Sequence, residues 1–404
     1  MASNLKIYHI LDHFIPEYSG YTFRSRSILN TQKSLGINPT GIISPLYSKG
    51  LLKEEKIEGI EFYRSLPNGN VLFSKIPFVN QLITMEHFKK DIHRILKDKP
   101  KGIIHAHSPI LNALPAYSVA RKLSMPFVYE VRAFWEDAAV DLGKTKEKSL
   151  RYRITKYLET NILKKADRIV TICEGLKQDM IGRGVDSKKI WVVPNGVDLS
   201  FFKPQDKNVE LIKKYNLTGK TIIGFIGSFY KYEGLDLLIK AAPKIIKNNE
   251  NVVFMLVGAG PQDKFLKDFV KYSCLDNHFI FPGKVPHSEI VKYYSIMDLL
   301  VYPRISIRLT ELVTPLKPLE AMAMQKAVIG SDIGGIREII GDNTNGLLFE
   351  PSHPEDLADK CNQLINHIPR REELSIKGFD YVSRTRHWNK IIEKHFEVYK
   401  NLLN

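Results

Sequence analysis

The sequence predicts an α/β protein built from two doubly wound domains, each a mostly parallel sheet covered by helices on both faces. Three observations carry this. The chain has 404 residues, more than one hydrophobic core commonly supports. Short apolar runs that read as buried strands alternate with amphipathic helical stretches, and the alternation restarts near residue 221. No run of 18 apolar residues interrupts it, so the hydrophobic residues, 44% of the chain, are available for cores.

In the first half, LKIYHI (5–10) is a strand, and the loop from Leu11 to Gly20 leads into a helix starting near Tyr21. A first strand-to-helix loop lies at the carboxyl edge of such a sheet, where ligands bind, so Gly20, Arg24 and Arg26 are placed to meet a phosphate. The competing reading has the arginines solvating an exposed helix face. Residues 38–44 form a second strand, and 47–80 reads as irregular with a turn at PNG (67–69). KGIIHAHSP (101–109) is strand then loop, followed by a helix over 112–123. His105 and His107 are expected on opposite faces of that strand and therefore not as a metal pair. His107, nearest the carboxyl edge, either binds a hydroxyl or is structural. MPFVYEVR (125–132) is a strand ending in Arg132, with Glu136 and Asp137 beyond it as ion-pair partners or proton acceptors. Residues 168–172, 174–180 and 190–193 complete the domain, PNGVD (194–198) is a turn, and 201–206 reads as the linker. These limits give domains over 1–200 and 207–385, with a terminal helix beyond 386.

The second half repeats the pattern with strands at 221–227 and 251–258, a helix at 234–242, and apolar runs at 279–283 and 299–302. The stretch 301–340 concentrates chemistry. A strand stops at Pro303, and a loop carrying Arg304, Arg308, Glu311 and Lys317 follows. Pro318 suits a first helical turn, and Leu319, Met322 and Ala323 mark the face turned to a core. Glu320 then falls in the first turn, where the helix dipole favours a carboxylate able to accept two bonds from a vicinal diol. After the strand 327–329, SDIGGIRE (331–338) enters another helix through Gly334 and Gly335, which let backbone N–H groups approach an anion.

Composition sets further bounds. Cys173, Cys274 and Cys361 fit no zinc spacing and read as reduced thiols, and the N-terminus lacks the apolar core of a signal peptide, so a cytoplasmic protein is expected. The net charge of +15 reflects either a lysine-rich background or an anionic partner. Residues 141–190 hold 13 Lys/Arg against 7 Asp/Glu and include a helix with Leu150, Ile154, Tyr157, Leu158 and Ile162 on one face. With Lys148, Arg151, Arg153 and Lys156 on its other faces, it can lie on anionic headgroups, although docking on its own domain is the favoured reading of the apolar stripe. Neither zinc-finger spacing nor an aromatic-rich RNA-binding signature is present, so no nucleic-acid partner is expected.

EAMA (320–323), the following strand, SDIGGIRE and NGLLF (345–349) together resemble the donor-binding end of the retaining glycosyltransferases of family 4. Their fold is GT-B, two Rossmann-like doubly wound domains facing a central cleft. HILDH (9–13), SGYTFRSR (19–26), ADRIVTI (166–172) and VVPNGVD (192–198) extend the resemblance along nearly the whole chain. SGYT, YEVRAFWED (129–137) and LTELVTPLKPLEAMA (309–323) resemble the exosortase-associated subgroup of bacterial exopolysaccharide clusters.

The resemblance implies a hexosyltransferase that moves a sugar from a nucleotide-sugar donor, with retention, to a polysaccharide or lipid-linked acceptor at the inner membrane face. It implies no metal and no other cofactor. Glu320 would hold the ribose, Gly20 and the Gly334–Gly335 turn the phosphates, the loop at Val285 the base, and Glu311 or Lys317 the transferred sugar. The helix beyond 386 would cross back to the first domain, with Trp388 as anchor. Three departures from the family stand out. The carboxylate expected eight positions before Glu320 is Leu312, with Glu311 one place further. Ser228 and Glu233 stand where an Arg and a Lys usually serve the diphosphate, and Arg132 stands where many members have a histidine. No Asp-x-Asp pair exists to hold a metal, so Arg304, Arg308 and Lys317, with Lys231 weaker, are the available substitutes. The rivals are a GT-B epimerase or phosphorylase and a catalytically silent binding partner.

Overall fold

The computed structural model describes residues 5–17, 19–47, 54–66, 77–141, 143 and 145–403. The chain forms two compact units, Met1–Pro194 with Trp388–Asn404, and Asn195–His387.

The first unit holds β1 (Lys6–Leu11), β2 (Asn38–Ile43), β3 (Glu54–Ile57), β4 (Ile60–Arg64), β5 (Ile103–His107), β6 (Phe127–Val131), β7 (Arg168–Thr171) and β8 (Ile190–Val192). They form one sheet in the order β3-β4-β2-β1-β5-β6-β7-β8, parallel except for the β3–β4 hairpin. That hairpin and the start of helix Pro77–Leu96 lie within 47–80, so the segment is more regular than its sequence suggests. A two-stranded hairpin of mixed polarity such as EEKI and IEFYR gives little period-2 signal, and it is stabilised by pairing of β4 with β2. The turn at 67–69 lies outside the described residues. Strand order reverses between β1 and β5, where Ile7 pairs Ile103 and Ile10 pairs Ala106. Trp388, Ile391, Ile392, Val398 and Tyr399 of helix Trp388–Leu403 pack with Ile7, Ile28 and Val128 in this unit's core.

The second unit holds β9 (Thr221–Ile226), β10 (Val252–Val257), β11 (Phe279–Gly283), β12 (Leu299–Tyr302), β13 (Ala327–Ser331) and β14 (Leu347–Phe349). All are parallel, in the order β11-β10-β9-β12-β13-β14, and every residue of β10, β12 and β13 is buried. The reversal falls between β9 and β12, and in such sheets ligands bind outside the strand ends at that point. The expected linker at 201–206 begins with residues that belong to this unit. Phe202 is buried in its core, with its ring 5.9 Å from Tyr294, and Phe201 stacks on His287 at 4.7 Å. The division therefore falls at Pro194, because two adjacent aromatics bury more surface in the second core than a solvated linker allows.

Candidate functional site

In the second unit, the loops leaving β9 and β12 bring one carboxylate and two cations together. Glu233 is buried and ion-pairs with Lys317, while its second carboxylate oxygen lies 3.6 Å from Arg304 Nε. Burial alone would raise the Glu233 carboxyl, but the charges of Lys317 and Arg304 outweigh it and hold the group below its ordinary range. Gly227 makes room for this arrangement: with φ of 151° and no Cβ, it leaves the space beside the strand end that the Lys317 side chain fills. The acid at 233, opposite in sign to the residue the family usually places there, is thus neutralised by the lysine at 317. Arg304 is buried, donating from Nη1 to the Val313 carbonyl at 3.3 Å, and Arg308 opens helix Arg308–Leu312 half-buried.

Glu320 lies in the first turn of helix Lys317–Ala323, as its sequence predicts, and accepts the Tyr294 hydroxyl at 2.9 Å. Burial pushes its carboxyl up to about 7. Glu311 takes a different place from the expected sugar contact. Its two oxygens accept Ser306 Oγ at 2.5 Å and the Gly334 N–H at 2.7 Å. The Gly334–Gly335 turn, read as an approach to phosphate, therefore already holds a carboxylate. A Cβ on Gly334 would collide with the Glu311 carbonyl, and one on Gly335 with the carbonyls of Val313 and Thr310. These glycines let two short helices pack closely. Val285 is half-buried against the unit's core.

In the first unit, Gly20 is exposed at the start of helix Gly20–Ser34, capped by Ser19. Arg24, Arg132 and His107, read as reaching toward a ligand, are instead built into an enclosed network around Glu130. Arg24 Nε and Arg132 Nε donate to Glu130 Oε1 at 3.0 and 2.8 Å, and His395 Nε2 lies 3.2 Å from Oε2. Arg24 also donates to the carbonyls of Val193 and Pro194, and Arg132 to the Tyr21 carbonyl and Ser25 Oγ. Burial would raise the Glu130 carboxyl, but the two guanidinium charges hold it well below the carboxylate range. Arg26, by contrast, is at the surface and pairs with Glu58.

His105 and His107 share a face, contrary to the opposite-face expectation, since a two-residue step along a strand returns the side chain to the same side. Their rings stack at 4.5 Å. A guanidinium only donates, so Arg132 Nη2, 2.8 Å from His107 Nδ1, fixes the proton of His107 on Nε2. His107 Nε2 then donates to His9 Nδ1 at 2.8 Å, and His9 Nε2 to Gln32 Oε1 at 2.8 Å. Burial drives all four histidines, His9, His105, His107 and His395, toward the neutral form, His107 to about 4. His9, His105 and His107 bring ring nitrogens within 4.8 Å of one another, as do His105, His395 and the Glu130 carboxylate, but two adjacent guanidinium groups oppose a cation there. Glu136 and Asp137 do not pair with Arg132. Glu136 meets Arg183 at 2.7 Å and Asp137 accepts the Tyr152 hydroxyl at 2.8 Å, both buried.

Sequence reading missed Glu130 and Tyr294, and it took Glu233 as a lost cation without seeing it as the partner of Lys317. The first was legible, because a carboxylate inside the apolar strand MPFVYEVR must be paired to be buried. The helix Leu150–Lys165 also differs from its favoured reading. Leu150, Ile154 and Tyr157 are 73%, 38% and 68% exposed, while Tyr152, Ile162 and Leu163 face the unit's interior. No helix among the described residues is long and apolar enough to cross a membrane.

Two Rossmann-like parallel-sheet units, each with polar residues at a strand-order reversal, are the make-up of the GT-B fold. The family description "Glycosyl transferases group 1" matches residues 207–380, and "Glycosyltransferase Family 4" matches 42–201. The chain is a glycosyltransferase of this group 1 and family 4 type, in the hexosyltransferase class. An uncharacterised glycosyltransferase of Methanocaldococcus jannaschii is 26% identical over 367 residues, 88% of this chain and 94% of that protein. The GPI3 subunit of the Saccharomyces cerevisiae phosphatidylinositol N-acetylglucosaminyltransferase is 27% identical over 247 residues, 61% of this chain and 53% of that protein. Among solved structures, the sucrose-phosphate synthase of Thermosynechococcus elongatus aligns with a TM-score of 0.81 at 18% identity, covering 99% of both chains. Anabaena HepE in complex with UDP-glucose aligns with a TM-score of 0.75 at 16% identity, covering 98% of this chain and 99% of that one.

Proposed function

We propose that the chain transfers a hexose from a nucleotide-sugar donor, with retention of anomeric configuration, to a lipid-linked or polysaccharide acceptor in exopolysaccharide or cell-envelope synthesis. The observation that carries the donor half is the grouping of Glu320, Lys317 and Arg304 at the β9/β12 reversal. A ribose diol meets the Glu320 carboxylate, and the departing diphosphate meets the cations. Lys317 and Arg304 share Glu233, so the three groups keep a net charge of +1, and preorganised charge of this kind contributes roughly 3 kcal/mol when well placed. The donor chemistry is supported by solved structures of Anabaena HepE, which hold UDP and UDP-glucose. In this reading Lys317 and Arg304 supply the charge missing at Ser228 and Glu233, and no metal is invoked. The acceptor and the exosortase-associated setting follow from the motif resemblance.

Saturation-transfer NMR of the purified protein against UDP-, GDP- and ADP-sugars tests the proposal. One donor should show saturation, and Glu320→Ala should weaken it about tenfold or more. Lys317→Met alone would strand the buried Glu233 carboxylate, so the paired Glu233→Gln/Lys317→Met variant is the cleaner probe of the diphosphate contact. It should keep the fold and lose turnover. A wild-type chain that binds no donor would favour the silent-partner reading.

A further inference from the structure

In the second unit, Tyr294 lies on helix Ile290–Ile296, which follows the loop at Val285, and its side chain is buried at 0% exposure. A buried phenol needs a partner, and Tyr294 donates its hydroxyl proton to Glu320 Oε2 at 2.9 Å. Packing sets the direction of that hydroxyl. Phe202 meets the Tyr294 ring edge-on at 5.9 Å, and the same Phe202 ring stands edge-on to His287 at 6.2 Å, in the turn His287–Glu289 just before the helix. Tyr302 of β12 also lies near the carboxyl, but its own hydroxyl donates to the Lys317 carbonyl at 3.0 Å. The charged groups around this cluster are Lys317, on the helix that carries Glu320, and Glu233, which acts on Tyr302. Burial raises the Glu320 carboxyl, and the Tyr294 bond and the Lys317 charge work against that rise. Among the described residues no hydrogen bond reaches the other oxygen, Oε1, which is not a sealed atom, and Glu320 is only half-buried. One oxygen is thus tied inside the unit and the other is open to a ligand.

We propose that Tyr294 is a positioning residue for the nucleotide-sugar donor: its hydroxyl holds the Glu320 carboxylate ionised and in one orientation, with Oε1 presented to the ribose diol. The inference rests on the donor reading above, names a further residue for it, and lies wholly within the second unit. An ionised carboxyl offers about four acceptor sites, so the phenol can occupy one on Oε2 and still leave sites for both diol hydroxyls. A protonated carboxyl carries a donor of its own and accepts less. A hydrogen bond to the charged form favours that form, so without the phenol burial would protonate Glu320 further at neutral pH. Phe202 is the seat of the phenol ring, which gives this aromatic a role at the site as well as in the core.

The experiment uses the full chain with UDP, GDP and ADP as probes, their affinities read by isothermal titration from pH 6 to pH 9. Carbon-13 NMR of labelled glutamate carboxyls, with Glu320 assigned by its loss in Glu320→Gln, follows the same titration without any nucleotide. Tyr294→Phe keeps the ring and removes the hydroxyl. It should move the Glu320 titration and the climb in affinity to higher pH by about one pH unit, because a bond to a charged group is lost. Affinity at pH 7 should then fall about threefold or more, with most of the loss recovered at pH 9. Added to Glu320→Gln, the same change should alter affinity by about twofold at most, since the two residues act through one contact. A Glu320 resonance that titrates in the same place in Tyr294→Phe, or a loss of affinity equal at every pH, overturns the inference. Should Tyr294→Phe fail to fold, Phe202→Leu, which keeps the hydroxyl and loosens its seat, should move the titration the same way, and an unmoved titration overturns it equally. A wild-type chain that binds none of the three nucleotides overturns the donor reading beneath, an outcome that the nucleotide-free resonance keeps separate from failure of the Tyr294 contact.

Discussion

Glu320 is poised to change charge near neutral pH, because burial raises its carboxyl to about 7 while a diol needs the ionised form as acceptor. Nucleotide affinity should therefore climb about tenfold between pH 6 and pH 8, and Glu320→Gln should flatten the climb; isothermal titration at several pH values reads both. The sealed histidines give stability a pH dependence of the same direction. Their pKa values are lowered on folding, so below the ordinary value of 6.5 the unfolded chain takes up protons that the folded chain refuses, and stability is lost as pH falls. Each contributes a slope of up to about 1.4 kcal/mol per pH unit below 6.5, and for His107 the window runs down to about 4. Urea midpoints measured from pH 7 to pH 4.5 should fall steeply, and flat midpoints would contradict neutral burial of the four rings.

At the scale of elements, helix Leu150–Lys165 presents Leu150, Ile154 and Tyr157 on one outward face, at spacings of four and three residues; Arg153, expected on another face, shares this one because it is three residues from Leu150, and Arg151 lies beside it. Such a face suits an anionic bilayer, where buried apolar area and basic charge act together. The chain should co-sediment with vesicles containing phosphatidylglycerol and lose most of that binding at 0.5 M salt or in Leu150→Ser/Tyr157→Ser. Pelleting equal to wild type in the double variant would remove this helix as the contact. The short helices Arg308–Leu312 and Gly334–Arg337 show another use of an element: the first delivers Glu311 to the backbone of the second, a carboxylate at a helix N-terminus inside the protein.

At the scale of the molecule, the C-terminal helix completes the first unit although the second unit intervenes in sequence. Its Tyr399 hydroxyl meets His105 Nδ1 at 2.7 Å and accepts from Gln32 at 3.1 Å, and its Trp388 ring lies 5.8 Å from the Arg24 guanidinium. A chain ending at residue 387 should expose the apolar face of the first unit and unfold there at lower urea. The isolated segment 195–387, which has its own core, should retain a cooperative transition by circular dichroism.

The alternation of apolar runs and helices, read residue by residue, was enough to determine the α/β class, the doubling of the domain and the helical setting of Glu320, because burial on both faces of a parallel strand and the dipole of a first turn are local properties. Partnerships were decided only by the tertiary structure. Arg24 and Arg132 sit where a ligand-binding arginine is expected, yet Glu130 draws both inward, since a buried carboxylate needs compensating charge and helix Gly20–Ser34 and β6 bring those guanidinium groups to it. Glu233 and Lys317, 84 residues apart, form one ion pair through the adjacency of β9 and β12, a relation set by strand order that sequence spacing does not encode.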